Sequence, residues 1–73
     1  MNITIRCARI TTPISYQANT GRKKNIPIGP CLVEGIGGHS IDIIWGTSGE
    51  SSVVMLVEEF DAAMVHGHLV LLD

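Results

Sequence analysis

Seventy-three residues make one domain and leave no room for a second. An apolar share of 45% excludes a disordered tail, and no run approaches the 18 or so apolar residues of a membrane-spanning helix. The net charge of −2 excludes a general attraction to polyanions, so nucleic-acid binding has to rest on a local basic cluster.

Aromatic residues are limited to Tyr16, Trp45 and Phe60, so the core has to be built from Ile, Val and Leu. A chain of this size buries only roughly 60% of its unfolded surface, and its core supplies no more than about 3–5 kcal/mol. Chains near that limit recruit a disulfide, a metal or a partner subunit. No basic stretch followed by an apolar block opens the sequence, so no signal peptide is expected and the expected compartment is the cytoplasm. In that compartment Cys7 and Cys31 are expected to be reduced. All five basic residues precede position 25 and all seven acids follow position 33. Folding can bring these halves together, so the asymmetry reads first as a solvated surface.

The chain opens on alternation, with Ile3, Ile5 and Cys7 on one face and Thr4 and Arg6 on the other. At Ala8-Arg9-Ile10 the phase slips by one, which predicts a bulge or bend. Residues 11–25, with Pro13, Gly21 and three consecutive cations, read as a long exposed loop. Ile14 and Tyr16, two apart, leave room for a short edge strand inside it. Pro27 and Pro30 cannot donate ladder hydrogen bonds, which confines residues 26–30 to an edge or connector. Residues 31–34 continue as a strand, and Gly35-Ile36-Gly37-Gly38 supplies the positive φ of a tight turn. Residues 39–46 form the clearest strand, with Ile41, Ile43 and Trp45 on one side. Residues 46–50 form a second hairpin connection, and residues 51–57 pair back antiparallel.

The last third carries the strongest apolar signal. Val53-Val54-Met55-Leu56-Val57 and Leu69-Val70-Leu71-Leu72 do not alternate, so both faces of each strand should meet apolar surface. Between them Phe60, Ala63, Met64 and Gly67 recur at i, i+3, i+4 and i+7, one helical stripe. Acids fill the first turn and Gly67 suits the left-handed residue that ends a helix, although no capping side chain precedes it.

These elements predict a mainly β fold: a small five- to six-stranded barrel with one short helix at 58–66 before the last strand. The order of elements resembles the general plan of SH3-like barrels, and no residue motif adds to that resemblance. The alternative is an α+β arrangement with a C-terminal β-α-β unit, which ten residues of connection make tight.

Candidate chemistry is sparse. His39, His66 and His68 with Cys7 and Cys31 carry the donors of a zinc site but none of its spacings, so no metal and no cofactor is expected. Gly35-Ile36-Gly37-Gly38 lacks the Lys-Ser/Thr of a phosphate loop. Ser48, Ser51 and Ser52 have no base at motif spacing, and Glu58 and Glu59 point about 100° apart on a helix, so no enzyme signature survives. The expected function is a small non-enzymatic interaction module. It self-associates or docks on a protein partner through the C-terminal aliphatic surface, Leu69, Val70, Leu71 and Leu72. The alternative is nucleic-acid binding by Arg22, Lys23 and Lys24 with Arg6 and Arg9, near Tyr16 and Asn19. A weaker third is a pore-type enzyme in which a symmetric oligomer builds one site from surface residues around Trp45.

Overall fold

Ala8 and Ile10, not Ile5 and Cys7, are the residues of β1 (Ile5–Ile10) that enter the core of the computed structural model, which describes residues 5–17 and 20–72. β1 pairs with β4 (Gly29–Ile36) without interruption from Ile5 opposite Glu34 to Ile10 opposite Gly29. The expected bulge at residues 8–10 is therefore absent. The apparent phase slip arises because a regular strand is apolar on both faces, and Ile5 and Cys7 lie on the side away from the core. Ile3 and Thr4 fall outside the described residues.

The remaining elements are β2 (Ile14–Gln17), β3 (Lys23–Ile26), β5 (Ser40–Trp45), β6 (Ser51–Leu56), α1 (Val57–Val65) and β7 (Leu69–Leu71). Five strands form one antiparallel sheet in the order β6-β5-β4-β1-β7, while β2 and β3 pair as a separate hairpin. The fold is mainly β with one short helix, as composition and periodicity predict. Among the described residues seven strands replace the expected five or six, because the loop expected at 11–25 contributes the paired strands β2 and β3. Tyr16 faces Lys24 across this pair, and Ile14 and Ile26 close its base. The cations of β3 hid that strand, since both Lys23 and Lys24 are exposed.

Two further expectations change. Barrel closure is not among the described pairings, since β6 and β7 stand at opposite ends of the sheet order. They run in the same direction, four antiparallel steps apart, so α1 joins opposite edges and not parallel neighbours. Pro30 was expected at an edge or connector, yet it lies opposite Arg9 in the central strand β4. Pairing with β5 begins only at Cys31, so at Pro30 the strand has β1 as its one neighbour and is locally an edge.

The core is aliphatic apart from Cys31, Met55 and Phe60. Ile10, Ile26, Ile43 and Leu69 are its fully buried large side chains, drawn from both sheets. One face of the five-stranded sheet carries this core. Phe60 and Ala63 of α1 and Ile14, Tyr16 and Ile26 of the hairpin pack over it. The other face has no covering layer among the described residues.

Both helix ends are satisfied locally. No side chain of Leu56 can cap the helix, so Glu59 folds back to accept the Leu56 N–H at 3.3 Å. At the other end Gly67 takes φ 75°, its N–H donates to Met64 O, and His68 N–H donates to Ala63 O. That pair of bonds is a Schellman closure, which uses up two orphan carbonyls. The Thr11 hydroxyl donates to Gly67 O and the Thr11 amide to His68 O at 2.8 Å, tying the helix end to the end of β1. No helix among the described residues is long and apolar enough to cross a membrane.

Candidate docking face

Directly opposed residues of an antiparallel sheet share a face, so the register assigns the outer surface residue by residue. From β1 it takes Ile5, Cys7 and Arg9, and from β4 it takes Pro30, Leu32, Glu34 and Ile36. From β5 and β6 come Ser40, Asp42, Ile44, Ser52, Val54 and Leu56, and from β7 comes Val70. Leu72 follows, its N–H donating to Cys7 O at 2.9 Å. Seven large aliphatic side chains of this set are exposed, from 41 % at Leu32 to 59 % at Leu72. Cys7, Pro30, Leu32, Ile44 and Leu72, with the turn at 46–49, enclose a shallow depression of about 550 Å³ on this side. So many exposed aliphatics on one sheet face exceed the scattered ones of an ordinary solvated surface.

The C-terminal set divides by parity. Leu69 is buried at 1 % exposure and Leu71 is half-buried on the core side, beside Phe60 and Val33. Val70 and Leu72 are the outward half. Their neighbours Ile5, Leu32, Ile36, Val54 and Leu56 escaped the sequence reading, although two signals pointed to Ile5, Val54 and Leu56. One is the lost alternation at 53–57, and the other is the parity change in β1.

Charge on this face is sparse and uneven. Glu34 and Asp42 lie directly opposite each other on β4 and β5. Like charges so placed repel by roughly 0.2–1 kcal/mol. Asp42 Oδ1 is buried and accepts no hydrogen bond. Arg9 lies two residue pairs beyond Leu32 and Cys7 from this acidic pair, at the other end of β1.

The basic residues do not converge. Arg22, Lys23 and Lys24 are exposed along the hairpin, Arg9 is on the outer sheet face, and Arg6 borders a hollow with Val33, Phe60 and Leu71 on the core side. The hairpin does bring an aromatic pair beside its cations: Tyr16, opposite Lys24, meets Trp45 edge-on with centroids 6.1 Å apart. Asn19 lies outside the described residues. Beside Trp45, the Ser48 amide donates to Glu50 Oε2 at 2.9 Å, and this hydrogen bond holds the Glu50 carboxyl below its ordinary value.

The His66 and His68 rings approach to 5.7 Å despite the helix end between them, and His66 Nδ1 lies 2.8 Å from Ala62 O. Among the described residues no three His, Cys, Asp or Glu side chains come together in a metal-binding group. Cys7 and Cys31 point to opposite faces of the sheet and form no disulfide. Burial raises the Cys31 thiol above its ordinary value.

No protein-family model, no curated protein and no solved structure matches this chain.

Proposed function

We propose that this chain is a small interaction module that self-associates through the outer face of its five-stranded sheet. The observation that carries the reading is the set of exposed aliphatics, Ile5, Leu32, Ile36, Val54, Leu56, Val70 and Leu72, on a face that no other layer covers among the described residues. The hydrophobic effect supplies about 25 cal/mol per Å² of apolar surface removed from water. A chain whose own core supplies only a few kcal/mol gains proportionately much by covering such a face. The reading needs no catalytic group and no cofactor.

Light scattering across a concentration series tests it. The wild-type chain is expected to exceed the mass of one chain, and Leu32→Glu, at the centre of the face, to return it to one chain with its circular dichroism unchanged. A wild-type chain that stays single at every concentration defeats the reading.

The Tyr16–Trp45 pair beside Lys24 favours a second reading, nucleic-acid binding along the hairpin. Its mark is an affinity that falls steeply with salt and vanishes when Arg22, Lys23 and Lys24 are all replaced by Ala.

A further inference from the structure

The outer face holds an acidic pair and a single exposed arginine, displaced from one another along the strands, and this arrangement is self-complementary. We infer that two copies stack their outer faces about a two-fold axis running across the strands near the Cys7–Leu32–Ile44 row, so that Arg9 of each copy meets Glu34 and Asp42 of the other. The inference rests on the docking reading above and specifies its partner, a second copy, and its register.

The register gives the geometry. Cys7, Leu32 and Ile44 are opposed across β1, β4 and β5. Two residues to one side lies the row Ile5, Glu34, Asp42 and Val54, and two residues to the other lies the row Val70, Arg9 and Pro30. A two-fold axis in the plane between stacked sheets exchanges the rows on either side of it. Placed along the central row, it stacks Leu32 and Ile44 on their own copies and sets each Arg9 over the partner's Ile5–Glu34–Asp42 row. Glu34 is one strand from Ile5, an offset of roughly 4.8 Å. Rotating the two sheets by some tens of degrees, as aligned sheet packing does, brings Arg9 onto the acids.

This contact answers two features that the single chain leaves unexplained. The opposed Glu34 and Asp42 gain a cation between them, and Asp42 Oδ1, buried without a hydrogen bond, gains a guanidinium donor. The planar fork of Arg suits two neighbouring carboxylates better than a lysine does. A second copy fits this face better than an unrelated partner because the face carries both halves of the ion pair, in rows that one symmetry operation exchanges.

A charge-swap experiment followed by sedimentation equilibrium tests the register. Arg9→Glu and the double variant Glu34→Arg/Asp42→Arg are each expected to raise the dimer dissociation constant at least tenfold. In a two-fold dimer an equimolar mixture of the two restores both ion clusters, so its constant is expected to return to within a few-fold of wild type. Circular dichroism and Trp45 emission check that each variant is folded. A mixture that dimerises no better than its components overturns the register. So does an Arg9→Glu chain as dimeric as wild type; if Leu32→Glu still separates the copies, the docking face itself survives that result. A wild-type chain that never dimerises overturns both.

Discussion

Tyr16 and Trp45 meet edge to face, with centroids 6.1 Å apart and planes inclined at 68°, and this contact joins the β2–β3 hairpin to the end of β5. Neither residue neighbours the other in sequence, and each is half-buried. An aromatic pair of this geometry contributes about 0.5–1.5 kcal/mol beyond its buried area. Tyr16→Ala is therefore expected to lower the unfolding free energy by about 2 kcal/mol in urea titration. Trp45 is the chain's single tryptophan, so its emission in the folded state should shift to longer wavelength as the hairpin loosens. An unchanged spectrum shows that the hairpin does not shield the indole.

Gly46 has φ 104°, and a Cβ added there falls 2.7 Å from the Glu50 carboxyl carbon. The carboxylate is the far end of a flexible side chain and can move aside, at the expense of its bond from the Ser48 amide. The backbone strain remains. Gly46→Ala is expected to cost about 1–3 kcal/mol. Once the methyl has displaced the carboxylate, Glu50→Ala should cost less in the Gly46→Ala background than in wild type. A double-mutant cycle by thermal denaturation reads the coupling, and strict additivity argues against the displacement.

Gly67 closes α1 in the left-handed region, where an L side chain pays roughly 1–2 kcal/mol. Open space surrounds the position, so Gly67→Ala tests backbone conformation with little steric contribution. Stability is expected to fall by about 1 kcal/mol in urea titration. Amide exchange should quicken at His68, whose N–H makes the longer of the two closing bonds in sequence.

Stability should fall at both ends of the pH range, for opposite reasons. The folded state lowers the Glu50 carboxyl, so its contribution is present above the ordinary value of 4.5 and is lost as pH falls through the depressed folded value. Burial raises the Cys31 thiol, so its contribution is complete below the ordinary 9.0 and is lost as pH rises from there through the folded value. Glu50→Gln should flatten the acid limb and leave the alkaline limb alone, and Cys31→Ala should do the reverse. Thermal unfolding from pH 3 to pH 10.5 checks both assignments, and an acid limb unchanged in Glu50→Gln excludes the carboxyl as its source.

Local chemistry accounts for the parts that were readable in the chain itself. Tight turns at the glycines, the clean apolar period of residues 41–45 and the i, i+3, i+4 stripe ending at Gly67 each depend on neighbours within a few residues. They place β5, β6 and α1 within a residue or two of where they occur. The loss of alternation at 53–57 likewise showed that β6 would be apolar on both sides.

Long-range packing decided the rest. Whether Ile5 or Ala8 faces the core depends on which side of the sheet α1 and the hairpin cover, and no residue of β1 encodes that choice alone. Lys23 and Lys24 resemble a loop tip because a strand exposed along most of its length needs no apolar period; pairing with β2, and Ile26 at its base, made it a strand. Glu34 and Asp42 stand eight positions apart in sequence, and only the β4–β5 register sets them side by side on the outer face.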